Sequence, residues 1–310
     1  METPTSGLTL PYGGRDTWVD LPPTQEAPAE HHGALVAGAY RILEPIGGGS
    51  GGQVFRALHE PSGVEVALKV MHRRHRGSTV SEKRFERETR TASRIQHPHI
   101  VRMLDAGMMS DGTPWQAMEL LEGCDLATLL QQRPLGIDDT VQVGLQLLSA
   151  LHAVHSLGYV HRDIKPENVF LVRHEEIGVW VKLLDFGIVK PLVPTDSLPW
   201  VTEEGLLLGT PQFMAPEQIT GDIPVSVRTD VWAVGAVLYN ALTGAPPFED
   251  PQLSQLLVKI AREPAPSVAF HRPDAPTSLV QVVARALRTH PDHRYESAKE
   301  MAAELARVRT

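Results

Sequence analysis

The segment Gly47-Gly48-Gly49-Ser50-Gly51-Gly52-Gln53-Val54 places glycines at 47, 49 and 52 of a G-x-G-x-x-G-x-V pattern, with strand-like runs on both sides. A dinucleotide-binding turn needs a strand, then the glycines, then a helix. Here β-branched Val54 and aromatic Phe55 follow, so the chain returns as a second strand. The glycines therefore sit in a hairpin, where their backbone can lie close over phosphate groups. The runs Tyr40 to Ile46 and Gln53 to Leu58, a Pro61-Ser62-Gly63 turn, and Val64 to Met71 read as an antiparallel meander. In the third run Ala67 and Lys69 share one strand face, and a small residue beside a lysine leaves room for a flat ligand.

Residues 81 to 96 change to helical spacing, with Phe85, Ala92 and Ile95 on one stripe and Glu88 on the same inward stripe. An inward carboxylate needs a cationic partner, and Lys69 is the candidate. Two more strand-like runs, Ile100 to Ala106 and Trp115 to Glu119, lead to Leu120-Leu121-Glu122-Gly123, whose glycine reads as a hinge. Beyond it the chain becomes mostly helical. Asp138 opens a helix with Val141, Leu145, Leu148, His152 and His155 on one stripe, ended by Gly158 in the left-handed cap position. A helix from Thr229-Asp230 is apolar on most faces through Leu242, as suits a helix surrounded by others. Ser297 and Glu300 form a capping box for the last helix. Residues 1–37, with five prolines and little apolar periodicity, read as a disordered leader.

A chain of 310 residues with 42% hydrophobic residues can bury a large core. Its formal net charge of −8 argues against nucleic acid as a partner, and the basic cluster His72 to Arg76 reads as a solvated loop. The lone Cys124 excludes an internal disulfide and fits a reducing compartment. No secretory signal and no membrane-spanning apolar run is visible, so the expected location is cytoplasmic.

The chemistry is concentrated in two loops. His161-Arg162-Asp163 is followed by Asn168 five residues after the aspartate and, after a short apolar strand, by Asp185-Phe186-Gly187. Three metal- or proton-handling side chains thus fall in adjacent loops, an arrangement suited to phosphoryl transfer. Val66-Ala67-Leu68-Lys69 is close to a V-A-I-K pattern, with Glu88 nineteen residues on. Gly209-Thr210-Pro211-Gln212-Phe213-Met214-Ala215-Pro216-Glu217, Asp230-Val231-Trp232-Ala233-Val234-Gly235 and Arg294 follow in order.

With these motifs, residues 38–308 resemble the eukaryotic-like (Hanks-type) serine/threonine protein kinases, and Phe85-Glu86-Arg87-Glu88 and Gly187-Ile188 are closest to bacterial members. The resemblance implies an α+β, bilobed protein-kinase-like fold. A small antiparallel β-sheet lobe with one key helix (about 38–118) is followed by a hinge (about 119–123) and a larger, mainly helical lobe (about 124–308). It implies ATP and Mg²⁺ as cofactors, with Mn²⁺ as a possible substitute, and proteins with Ser or Thr acceptors as substrates.

Carried over by position, the resemblance has Lys69 orient the α- and β-phosphates, held by Glu88, while Asn168 and Asp185 hold the metal. Asp163 orients the attacking hydroxyl and accepts its proton, and Lys165 approaches the γ-phosphate. Ile46, Gly47, Gly48, Gly49, Ser50, Gly51 and Gly52 form the nucleotide lid, which glycine at 51 loosens. Adenine sits between Val54 and Ala67 above and Leu171 below, with Met118 as gatekeeper and backbone groups of Glu119 and Leu121 on the base edge. Thr210 bonds to Asp163 and Lys165, Glu217 pairs with Arg294, and Arg162 reads a phosphate on Thr202. Autophosphorylation is expected. The rival readings are a pseudokinase scaffold, opposed by the intact Lys69, Glu88, Asp163, Asn168 and Asp185, and a small-molecule phosphotransferase, opposed by the 209–217 segment.

Overall fold

The computed structural model describes residues 33–49, 52–71, 95–174, 178–185, 190–191 and 210–308. The described residues divide into two compact units. One takes those up to 96, 101–123 and 172–179, and the other takes 97–100, 124–171 and those from 180 onward.

The first unit is built on a six-stranded antiparallel sheet: β1 (Leu35–Val36), β2 (Tyr40–Gly49), β3 (Gly52–His59), β4 (Val64–Met71), β5 (Met103–Met108) and β6 (Pro114–Glu119), in the order β1-β2-β3-β4-β6-β5. One face carries the core, in which Val36, Tyr40, Ile42, Phe55, Ala57, Val66, Leu68, Trp115 and Ala117 pack together. Register then fixes the other face. Val54 lies opposite Lys69 and Lys69 opposite Gln116, while Ala67 lies opposite Met118. Directly opposed residues share a side of the sheet, so Val54, Ala67, Lys69 and Met118 lie together on the face away from the core.

Two register shifts in β2, around Leu43 and Ile46, accommodate Pro45, which has no N–H to give to a regular ladder. At Gly52 φ is 154°, and an added Cβ would collide with the Val70 carbonyl, so only glycine lets β3 start this close to β4. Tyr40 donates from its hydroxyl to Asp105 Oδ2 at 2.9 Å, and burial, reinforced by that bond, pushes the phenol's pKa up. The sheet begins before residue 38: Val36 is in the core, so the end of the segment read as leader is ordered by pairing with β2. The run expected from Ile100 forms a strand only from Met103, because Ile100 makes a single parallel bridge to Leu183 instead.

In the second unit the helices are Leu126–Leu130, Ile137–Ser156, Pro216–Thr220, Val227–Thr243, Leu253–Arg262, Val268–His271, Thr277–Ala286 and Ala298–Leu305. The Val227–Thr243 helix is the hub, with every residue from 229 to 242 buried, as its lack of a polar face requires. Ser226 caps it by accepting the Arg228 N–H. The Ile137–Ser156 helix buries Thr140, Val143, Gly144, Leu147, Leu151 and Val154, and ends with Gly158 at φ 80°. His152 is exposed, a correction to the expected stripe, because the inward neighbour of Leu148 is Leu151 at i+3 and not His152 at i+4. Ser297 accepts the Glu300 N–H at the last helix.

Small sheets carry the loops of interest. One has the order β10-β9-β7, formed by β7 (Gly123–Asp125), β9 (Val169–His174) and β10 (Gly178–Leu183). The other pairs β8 (Tyr159–Val160) with β11 (Lys190–Pro191). Among the described residues no helix is long and apolar enough to cross a membrane.

Candidate active site

After β8 the chain makes a turn in which Arg162 takes φ 68°, a left-handed conformation costing an L-residue about 1–2 kcal/mol. The Asp230 carboxylate, at the head of the hub helix and fully buried, holds this turn. It accepts the backbone N–H groups of His161 and Arg162, each at 2.8 Å, and faces His155 Nε2 at 2.7 Å. Burial alone would raise its pKa, but the His155 hydrogen bond, the nearby imidazoles and the Arg162 N–H hold it below the usual carboxylate range.

His161 is also fully buried, and burial pulls its pKa down against the neighbouring carboxylates, so the ring is neutral. Nε2 donates to the Leu184 carbonyl at 3.3 Å, and Nδ1 accepts the Asp163 N–H at 3.4 Å. The imidazole thus ties the loop of Asp163 to the residue preceding Asp185. Burial also lowers the pKa of the partly buried Arg162 guanidinium, opposed by Asp230.

The reactive cluster follows within five residues. Lys165 Nζ lies 2.9 Å from Asp163 Oδ2, and Asn168 Nδ2 donates to the same oxygen at 3.0 Å and to the Asp163 carbonyl at 2.8 Å. Both donors fall on Oδ2, which leaves Oδ1 able to accept a further hydrogen bond. Asn168 sits at the end of a 3-10 turn, Pro166–Asn168, and its carbonyl accepts the Leu184 N–H at 2.8 Å. That bond brings Asp185, itself at φ 58°, beside Asn168. With its amide nitrogen engaged by Asp163, Asn168 presents its side-chain oxygen. One amide oxygen and one carboxylate form a hard oxygen donor set, which suits a Mg²⁺ ion completed by phosphate and water.

Thr210 does not reach Asp163 or Lys165 as expected. Its hydroxyl donates instead to the exposed Glu167 carboxylate, at 3.2 Å from Oε1. Arg294 and Glu217 do meet, in a bidentate pair with both N···O distances at 2.8 Å. In the first unit Lys69 is 9% exposed and shares its sheet face with Val54, Ala67 and Met118. Glu119, at the end of β6, donates its N–H to the Arg102 carbonyl at 3.0 Å and accepts the Arg102 N–H on its side chain at 2.8 Å. Leu121 is partly exposed, Leu171 is fully buried in the second unit, and Ile46, Gly47, Gly48, Gly49 and Gly52 lie on the β2–β3 hairpin. Ser50, Gly51, Glu88, Thr202, Phe186 and Gly187 lie outside the described residues.

Asp230, His155, Gln218 and Glu167 are functional neighbours that sequence reasoning missed. Asp230 carried a signal: a carboxylate heading a run that is apolar through Leu242 has to find donors.

The protein kinase domain model matches residues 40–305. Serine/threonine-protein kinase pkn3 of Myxococcus xanthus is 38% identical over 282 residues, covering 90% of this chain and 51% of that protein. Serine/threonine-protein kinase PknH of Mycobacterium tuberculosis is 36% identical over 266 residues, covering 86% of this chain and 41% of that protein. The chain thus spans about half the length, or less, of these bacterial relatives. The crystal structure of the Mycobacterium tuberculosis PknI kinase domain superposes with a TM-score of 0.69 at 28% identity, covering 89% of this chain and 98% of that one. By sequence and by fold, the chain belongs to the protein kinase domain family.

Proposed function

We propose that the chain is a serine/threonine protein kinase that transfers the γ-phosphoryl group of ATP to Ser or Thr hydroxyls of proteins, its own included. The observation that carries this reading is the Asp163–Lys165–Asn168 cluster, with Asp185 brought beside it by the Asn168–Leu184 backbone bond. ATP supplies the phosphoryl group, and a divalent ion, Mg²⁺ with Mn²⁺ as substitute, supplies charge compensation when bound. Asn168 and Asp185 would hold that ion. Asp163 Oδ1 accepts the hydroxyl's hydrogen bond, orients its oxygen and takes its proton as the new bond forms. Lys165 pairs with Asp163 Oδ2 and offers positive charge to the transferring group.

In the first unit, Lys69 is assigned to the α- and β-phosphates and the face of Val54, Ala67 and Met118 to the adenine, with backbone groups of Glu119 and Leu121 at its edge. Glu88 is assigned to hold Lys69. Thr202 is the proposed activating phosphosite, read by Arg162, and the kinase domain is assigned to residues 38–308 in the cytoplasm. Incubating the full chain with Mg²⁺, γ-labelled ATP and a generic protein substrate tests the reading. Label on protein Ser or Thr, absent with Asp163→Asn, is the expected result. Absence of label on any protein from the wild type overturns it.

A further inference from the structure

Gln218 is 3% exposed, and both ends of its side-chain amide are bonded. Oε1 accepts the Ala215 N–H at 2.9 Å, and Nε2 donates to the Arg162 carbonyl at 3.1 Å. The first bond is half of a capping box on the Pro216–Thr220 helix. A glutamate would make that bond equally well, and its charge would suit a helix N-terminus. What glutamine adds is the donor end, and that end reaches the catalytic loop.

The carbonyl it reaches belongs to the strained residue. Arg162 is held at φ 68° with its N–H on Asp230 Oδ1, and Gln218 holds its C=O. The following N–H, that of Asp163, faces His161 Nδ1. The peptide plane joining Arg162 to Asp163 is therefore pinned at both ends, by Gln218 on oxygen and by His161 on nitrogen. Strained backbone persists only where its surroundings fix it, and here it carries the carboxylate that meets the hydroxyl. Through Ala215 the same amide is bonded to the residue that leads into the Pro216–Thr220 helix.

We propose that Gln218 is a positioning residue for phosphoryl transfer: its amide fixes the Arg162–Asp163 peptide plane and so aims Asp163 at the acceptor hydroxyl. This rests on the kinase reading above. The role is to hold geometry, and a displacement of about 1 Å at a reacting group is enough to lower rates about 10²-fold.

The test uses full-length Gln218→Glu and Gln218→Met, with thermal unfolding recorded for each, steady-state kinetics against pH, and amide exchange at Asp163. At neutral pH both variants should lose about tenfold or more in kcat with the nucleotide KM within about twofold of wild type. Relative to wild type, Gln218→Glu should recover as pH falls, because a protonated buried carboxyl donates to the Arg162 carbonyl as the amide does. Gln218→Met should stay low at every pH, and the Asp163 amide should exchange faster in both variants at neutral pH. An active wild type whose folded variants keep kcat within about twofold and leave Asp163 exchange unchanged overturns the positioning role alone. Parallel loss of kcat and nucleotide binding, with no recovery of Gln218→Glu at low pH, overturns it too. A wild type that transfers nothing overturns the kinase reading and this role together.

Discussion

Replacing Arg294 by methionine should be among the most destabilising single changes in the helical unit. All five N–H groups of its guanidinium are bonded: Nη1 and Nη2 to the two oxygens of Glu217 at 2.8 Å, and the remaining donors to the carbonyls of Arg288 at 2.7 Å, Thr289 at 2.8 Å and Arg228 at 3.1 Å. Both side chains are inaccessible, at 0% and 1%, and the guanidinium lies 4.9 Å above the Trp232 ring. Arg294→Met leaves the Glu217 carboxylate buried with only the Thr229 hydroxyl at 2.8 Å, and strips a partner from three carbonyls. Breaking a buried pair in this way costs about 3–5 kcal/mol. At roughly 2–4 °C per kcal/mol for a unit of this size, about 4 kcal/mol lowers Tm by about 8–16 °C in a calorimetric or circular-dichroism melt. Most of that cost is the stranded charge, so Glu217→Leu combined with Arg294→Met should be more stable than Arg294→Met alone. A Tm for Arg294→Met within about 2 °C of wild type, or a double variant that loses the sum of the two single losses, refutes the reasoning.

Other consequences follow from the same contacts. Asp163→Asn should lower phosphoryl transfer by about 10²–10⁴-fold in a labelled-ATP assay while nucleotide binding, measured by titration, stays unchanged. Asp230→Asn puts an amide where the N–H groups of His161 and Arg162 and His155 Nε2 converge, and should lower stability by about 3–5 kcal/mol in urea unfolding, with activity lost alongside. Burial, with the charge of Lys182 nearby, holds His97 and His99 below the usual histidine pKa of 6.5, and burial does the same to His161. These rings are neutral when folded and take protons more readily once unfolded. Their stabilisation is therefore complete above pH 6.5 and is lost as pH falls from 6.5 toward the lowered folded values. Each contributes at most about 1.4 kcal/mol per pH unit in that window. A urea midpoint that does not fall between about pH 7.5 and pH 5.5 contradicts this.

What could be read from the chain was local. The spacing of Asp163, Lys165 and Asn168 places three side chains within one short loop, and the structure brings them onto one carboxylate. The alternation in Val64 to Met71 put Ala67 and Lys69 on one face, which the sheet register extends to Val54 and Met118. The missed features depend on partners far apart in sequence. Asp230 holds residues 161 and 162, Gln218 reaches back to Arg162, and Thr210 finds Glu167, and no periodicity reports such pairings. His152 was misplaced for a related reason, since i+3 and i+4 neighbours are equally plausible until the facing helices select one. Val36 lies in the core through the pairing of Leu35 and Val36 with β2, a contact that composition does not report.

The central claim is that Asp163 delivers a protein hydroxyl to the phosphoryl group of ATP. Mapping phosphate by mass spectrometry on the purified chain after incubation with Mg²⁺ and ATP tests it most directly. The account predicts phosphoserine or phosphothreonine on the wild type, Thr202 among the sites, and none on Asp163→Asn. An unmodified wild type, or an Asp163→Asn chain modified to the same extent, contradicts it.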